Sequence, residues 1–384
     1  MTESIYFGEE HRMLRDQIRR FIRDEVLPVG EQWEVEGRIP RELFRRMGEL
    51  GLLGLAHPES VGGAGLDVLA SVILAEELGR STFGGLGISV TVHTDMATPH
   101  LVHYGSDEQR AKYMPGILAG ELITALAVTE ADAGSDVSSL RTRAERRGDQ
   151  YVINGAKMFI TNGGYADLVF VAAKTDLSVK PSRGLSIFLV ERGTPGLVVS
   201  RKLDKHGWRC SETVELAFQD CTIPAANLIG EENKGFYAIM RNFQRERIVL
   251  AGMAIGESSR ALELVIDYTR QRKAFGATLY DKQVVRHRIA EMAMNVEAGR
   301  QLLYHAAWLE STGRECTKEV SMVKAYCGEL VNRVMYHAVQ FHGGFGFMRE
   351  ATIERMSRDA RVQSIGGGPT EVMLEEVAKR LGRD

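Results

Sequence analysis

The chain has 384 residues, 44% of them apolar and 26% charged, with a formal net charge of −3 from 48 basic and 51 acidic side chains. That balance excludes a disordered chain, a collagen and a coiled-coil rod, and offers no basic field for nucleic acid or anionic lipid. The longest apolar runs, such as residues 122–128, are too short to span a bilayer, and Cys210, Cys221, Cys316 and Cys327 are spaced for neither a zinc ribbon nor a disulfide scaffold.

From Glu9 to about Gly120 the pattern is helical. Leu14, Ile18, Phe21, Ile22 and Val26 recur at three- and four-residue steps, and Pro28 ends that helix. Further helices are predicted over 41–50, 69–78 and 107–118, with a glycine turn at 62–65. From about 121 to 232 the period falls toward two. Short strand-like runs start at Tyr151, Met158, Leu168, Leu185 and Val214, punctuated by Asn154-Gly, Asn162-Gly-Gly, Arg183-Gly and Pro195-Gly. Long helical segments return near 235–273, 281–312 and 316–341. The blocks predict an α+β multidomain protein with segregated layers: an N-terminal helical domain over 1–120, a central antiparallel β domain over 121–233 and a C-terminal helical domain over 234–384.

There is no P-loop, no strand-linked G-x-G-x-x-G and no G-x-S-x-G. His93, His100 and His103 lack the H-E-x-x-H or carboxylate context of a metal site, so no metal is expected. The start, MTESIYFGEE, has no apolar segment of the signal-peptide kind. With reduced thiols this gives an expected cytoplasmic location, or the mitochondrial matrix for a mature eukaryotic form.

Four stretches share one pattern: AVTEADAGSD at 127–136, KMFITNG at 157–163, RKAFG at 272–276, and QFHGG at 340–344 followed by RDA at 358–360. Together they resemble the acyl-CoA dehydrogenase family over nearly the whole chain. The resemblance implies a C-terminal four-helix bundle, an FAD cofactor and a homotetramer, with acyl-CoA as substrate and an electron-transfer flavoprotein as electron acceptor. Small residues in 127–136 let the backbone approach a flat ligand. By resemblance Leu126, Val128, Thr129 and Ser135 run along the flavin, Ser135 also meets the acyl-CoA, and Phe159, Ile160 and Thr161 pack beside the ring. Strand alternation puts Phe159 and Thr161 on one face. Arg272 and Phe275 resemble residues that reach a neighbouring subunit's flavin, the cation pairing with its pyrophosphate. Gln283, Gln340, Gly343, Gly344, Pro369 and Glu371 fall on the family's other dinucleotide contacts. Ser211 lies in the segment that meets the CoA arm.

The commonest family pattern places a catalytic glutamate in a Tyr-Glu-Gly-Thr loop near the C-terminus. Here that loop reads IGGGPT at 365–370, with Gly367 in the glutamate's place and Pro369 in the threonine's. In long-chain and isovaleryl-type relatives the glutamate sits on a helix before an arginine, and QRER at 244–247 matches that arrangement. Glu246 is therefore the expected general base, with Gln244, Arg247 and Gly368 beside the substrate. The Gly367 N–H is expected to bind the thioester oxygen, because losing the side chain keeps the N–H. The rival reading of QRER is a charged helix start with no role. Gly367→Glu in a Glu246→Gln background is an expected partial rescue.

Two other functions fit the fold: a flavin oxidase or monooxygenase, and a non-catalytic acyl-CoA-binding protein. Glu246, Arg247 and Ser211 favour the dehydrogenase. Thr91, His93, Thr94 and Asp95 lie where the acyl tail should pass, and are more polar than a plain fatty-acyl tunnel needs.

Overall fold

The computed structural model describes residues 4–382, so the outermost residues of the first and last segments, 1–3 and 383–384, lie outside the described residues. Seven helices come first: α1 (Glu9–Phe21), α2 (Gly30–Glu36), α3 (Arg41–Glu49), α4 (Val68–Arg80), α5 (Gly84–Thr91), α6 (Thr98–Tyr104) and α7 (Asp107–Leu118). The α1 stripe is buried at Leu14, Ile18 and Phe21, and the helix widens into a π turn at Ile22–Val26 before Pro28. A second π turn, Val92–Ala97, joins α5 to α6. Helix α4 is buried along its length, Glu76 and Glu77 included. Arg15 lies 2.7 Å from each of these carboxylates, so their charges are paired rather than stranded.

Eight strands follow: β1 (Thr124–Ala127), β2 (Arg143–Arg147), β3 (Gln150–Thr161), β4 (Leu168–Lys174), β5 (Leu185–Glu191), β6 (Leu197–Lys202), β7 (Thr213–Pro224) and β8 (Leu228–Ile229). Their order is β6-β7-β3-β2-β4-β5-β8, with β1 beside β4. The sheet is antiparallel except where β4 meets β1, from Thr124↔Leu168 to Ala127↔Val171, and touches β2 at Arg143↔Lys174. The β2–β3 excursion separates β1 from β4, which frees them to run the same way. The runs at 151–153 and 157–161 form one strand, and Asn154-Gly is a bulge rather than a turn. Gly155 has φ +150°, and a Cβ there would stand 2.5 Å from Thr142 Oγ1.

The C-terminal part holds α8 (Gly235–Gln271), the hairpin strands β9 (Lys273–Ala274) and β10 (Ala277–Thr278), then α9 (Gln283–Ser311), α10 (Thr317–His342), α11 (Thr352–Ala360) and α12 (Thr370–Ala378). Helices α8, α9 and α10 bury Ile255, Leu303, Val323 and Leu330 between them, and α12 lies along α10 as the short fourth member. Helix α4 also lies along α8, with backbones nearly touching. A Cβ on Gly256 would stand 2.0 Å from the Glu76 carbonyl, and one on Gly79 2.3 Å from the Met253 carbonyl. That contact fixes α8 against the N-terminal helices. Among the described residues no helix is long and apolar enough to cross a membrane.

Candidate active site

The polar quartet at 244–247 is not a solvated helix start. Glu246 is 5% exposed, and Arg247 is buried beside it. One turn earlier, the Asn242 amide donates to Glu246 Oε1 at 2.9 Å. Burial pushes the Glu246 pKa up to about 8; the Asn242 bond and Arg247 pull it down, and Asp95 pushes it further up. The Arg247 guanidinium stands 5.8 Å from the Phe243 ring, its Nε has no hydrogen-bond partner, and burial lowers its pKa. Gln244 donates to Thr317 Oγ1 at 3.2 Å while its own buried amide oxygen is unpartnered.

The 366–369 loop lies on this face of α8. A Cβ on Gly368 would be 3.8 Å from Arg247 Nε, and one on Gly367 would be 2.2 Å from Leu250 Cδ1. Lys324 of α10 pins the loop by donating to the carbonyls of Gln363 (2.8 Å) and Gly368 (3.0 Å), and burial lowers its pKa to about 8. Among the described residues the Gly367 N–H makes no backbone hydrogen bond. The expected rescue by Gly367→Glu is opposed by this geometry. Gly367 sits at φ +66°, and Leu250, itself buried, fills the space a side chain would enter. Pro369 precedes α12 in extended conformation, and Glu371 is exposed on that helix's first turn, away from the buried carboxylate of Glu246.

An apolar wall runs beside Glu246. Ile88, Val92, Met96, Val249 and Leu250 pack together, and Leu126 at the end of β1 joins them. Thr91 and His93 are consumed by the fold. Thr91 donates to the Gly87 carbonyl at 2.9 Å. His93 Nδ1 faces the Thr124 N–H at 3.2 Å, which leaves Nε2 to donate to the Ile117 carbonyl at 3.1 Å. Asp95 accepts from Ser71 (2.9 Å) and Thr94 (2.6 Å) and borders a cavity of about 10 Å³ with His57. His57 is 3% exposed, neither ring nitrogen has a partner, and burial holds its pKa down to about 3.

Past Leu126, the 128–130 segment is sewn to β3. Lys157 Nζ donates to the Val128 carbonyl (3.0 Å) and to Glu130 Oε1 (2.8 Å), while the Met158 N–H donates to the Thr129 carbonyl at 2.9 Å. Glu130 also accepts from the N–H groups of Arg141 (2.6 Å) and Thr142 (2.9 Å). The simple alternation expected for Phe159 and Thr161 fails. The register slips from Lys157↔Leu216 to Ile160↔Val214, and Phe159 takes φ +61° in the bulge. Its ring is turned out of the sheet, 63% exposed, while Ile160 is buried and Thr161 half-buried. Ser135 is exposed, and a Cβ on the neighbouring Gly134 would meet nothing.

A second group gathers at the far end of α8. Arg272 is exposed, and Phe275, 98% exposed, is the tip of the β9–β10 hairpin. Gln283 opens α9, and Gln340, Gly343 and Gly344 are exposed at the end of α10. Tyr268 and His342 hold the α8 and α10 ends together, with rings stacked at 4.3 Å. Twenty-five residues separate Glu246 from Gln271, about 38 Å along a helix. Ser211 joins neither group. It is buried, donates to the Trp208 carbonyl at 2.9 Å and accepts from Lys205 at 2.6 Å.

Models of acyl-CoA dehydrogenase domains match residues 8–121 (N-terminal), 125–221 (middle) and 233–382 (C-terminal). The chain is 41% identical over 379 residues to the mitochondrial long-chain specific acyl-CoA dehydrogenase of Rattus norvegicus, covering 98% of this chain and 88% of that protein. A crystal structure of acyl-CoA dehydrogenase from Geobacillus kaustophilus matches with TM-score 0.95 at 42% identity, covering 99% of this chain and 100% of that one. The chain belongs to the acyl-CoA dehydrogenase family. It is also 38% identical over 380 residues to the mitochondrial isovaleryl-CoA dehydrogenase of Pongo abelii, covering 98% and 90%.

As a member of this family the enzyme is an FAD-dependent oxidoreductase acting on CH–CH bonds. The chain fits that cofactor on its own terms. The outward-turned Phe159 ring, the open backbone at Gly134 and the Val128–Thr129 edge form a surface suited to a flat aromatic ring. Several structural supports of the dehydrogenase site escape a reading of the sequence. Asn242, Lys324 and the Lys157–Glu130 pair all act through tertiary contacts. Only Asn242 carried a usable signal, its four-residue spacing from Glu246.

Proposed function

We propose that the enzyme dehydrogenates an aliphatic acyl-CoA between Cα and Cβ, with Glu246 as the base that takes the α proton, to give a trans-2-enoyl-CoA. The observation that carries this reading is a buried carboxylate with a raised pKa, set on α8 beside a loop that has no side chain at Gly367. A base with a pKa near the working pH is suited to accept a carbon-bound proton. The free N–H of Gly367 is the donor for the thioester oxygen as negative charge builds there. Arg247 and Gly368 border the same space. FAD, when bound, supplies the acceptor for the hydride that leaves Cβ. Leu126, Val128, Thr129, Ser135 and the 159–161 bulge are its contacts in the same subunit.

The placement of the base on a helix agrees with a long-chain or isovaleryl-type enzyme, and the rat and Pongo abelii relatives carry those names. The apolar wall of Ile88, Val92 and Met96 suits a hydrocarbon tail. Arg272, Phe275, Gln283, Gln340, Gly343 and Gly344 gather by the far end of α8, too far from Glu246 to share a flavin with it in the same subunit. They are the contacts to a neighbour's flavin in a homotetramer. The same reading divides the chain at 120 and 233 and gives the electrons to an electron-transfer flavoprotein. The test is flavin bleaching by a panel of acyl-CoAs. Wild type should bleach with at least one straight or branched aliphatic substrate and Glu246→Gln with none; a colourless protein that takes up no FAD refutes the reading.

A further inference from the structure

We propose that Asn242 is the positioning residue of the base: it ties Glu246 to the Val92–Ala97 turn through one amide group and favours the proton-accepting form of the carboxylate. The inference rests on Glu246 being the base.

Asn242 is buried on α8, one turn before Glu246. Its Nδ2 lies 3.2 Å from the Asp95 carbonyl, 3.0 Å from the Met96 carbonyl and 2.9 Å from Glu246 Oε1. Two backbone carbonyls can only accept, so they fix which way the amide points. The side chain therefore meets Glu246 as a donor, occupying Oε1 and leaving Oε2 for the substrate.

The chain supplies those carbonyls for a local reason. Proline has no N–H, so Pro99 cannot complete the α-helical bond to the carbonyl four residues earlier, that of Asp95. The π turn at 92–97 further displaces the ladder from its i→i+4 spacing. The Asn242 amide, entering from α8, meets the Asp95 carbonyl that Pro99 cannot serve and the Met96 carbonyl beside it. The base is thereby held to a segment of the N-terminal helices rather than to its own helix alone.

The electrostatics agree. The charged groups bearing on Glu246 are Arg247, which favours its ionised form, and Asp95 on the facing turn, which disfavours it. Lys324 from α10, Glu376 from α12 and Arg380 just beyond it bear on Arg247. The 366–369 loop brings no titratable side chain. Among the described residues Asn242 is thus the one neutral donor on a carboxylate whose protonated form burial favours.

The experiment follows flavin reduction of the holoenzyme in a stopped-flow instrument from pH 6 to pH 10. It uses whichever of palmitoyl-CoA and isovaleryl-CoA bleaches the wild type, at saturating concentration. Asn242→Ala should bind FAD as wild type does. Its bleaching at pH 7 should fall about ten- to a hundredfold, the rate lost with a hydrogen bond to a charged group, and the deficit should close as pH rises. Asn242→Asp, nearly isosteric, should shift the profile further upward, because a second carboxylate would face Glu246. Profiles that superimpose on wild type, or a deficit equal at every pH, overturn the inference. If Glu246→Gln still bleaches, the base assignment fails instead. If that variant is dead and the Asn242 variants keep the wild-type profile, only the role of Asn242 fails.

Discussion

Glu246→Gln should make the protein more stable while abolishing its chemistry. A glutamate in the unfolded chain ionises near pH 4.5, whereas the folded subunit holds this proton until about pH 8. Below about pH 4.5 both states are protonated and folding loses nothing. As the pH rises from there toward 8, the unfolded chain gains by ionising and the folded state does not. Stability then falls by about 1.4 kcal/mol per pH unit, reaching roughly 3 kcal/mol by pH 7. Glutamine keeps the shape and can still accept the Asn242 hydrogen bond, but it has no proton to lose. The variant should therefore unfold at higher urea than wild type at pH 8, with the two midpoints nearly coinciding at pH 5. Intrinsic fluorescence with FAD fixed at one saturating concentration reads both midpoints. Acyl-CoA-dependent bleaching should drop by about ten-thousandfold or more, the upper end for loss of a general base. Equal midpoints at pH 8 would show that Glu246 is charged in the folded subunit. Near wild-type bleaching would place the base elsewhere.

Gly367→Ala should lower the thermal midpoint, since a left-handed backbone position and a collision with Leu250 together cost about 2–4 kcal/mol; an unchanged midpoint contradicts the packing. In a Glu246→Gln background, Gly367→Glu should return no bleaching, and recovery of activity would show that Leu250 yields. Lys157→Met strands the Glu130 carboxylate and should cost about 3–5 kcal/mol in urea unfolding, with weakened FAD retention on a desalting column; a cost below 1 kcal/mol argues against a buried pair. Arg272→Ala with Phe275→Ala touches only exposed side chains, so the circular dichroism should match wild type while sedimentation shows smaller assemblies and FAD loosens. A monomeric wild type that holds FAD tightly contradicts that assignment.

The proposed base stands out in the sequence because two departures agree: a loop without its carboxylate, and a glutamate before an arginine on a helix. The helical blocks were legible because their apolar stripes are long, as at Leu14, Ile18 and Phe21. What failed shares one cause, namely that contacts distant in sequence override local signals. Asn154-Gly reads as a turn, yet pairing with β7 on both sides of it carries β3 straight through as a bulge. Phe159 and Thr161 obey no simple alternation, because a second bulge, between Lys157 and Ile160, puts Phe159 itself at positive φ. Ser211 looks like a loop serine and is buried by Trp208 and Lys205. Asn242 shows in the sequence only as a polar residue four before Glu246. Its importance depends on the Asp95 and Met96 carbonyls beside Pro99, more than 140 residues away in the chain.

Leu250 carries a consequence for how such an enzyme changes over time. Its Cδ1 lies 2.2 Å from where a Cβ at 367 would stand, so the loop can carry a side chain there only if Leu250 gives way. Moving the carboxylate from one to the other is then a coordinated exchange. Position 250 has to shrink or turn aside, position 367 has to leave its left-handed conformation or tolerate it, and Glu246 has to go. A lineage taking these steps singly passes through either a crowded subunit or one with no base. The two placements are therefore separate local solutions, each locked by its neighbours, and position 250 is where an engineer wishing to convert one into the other should begin.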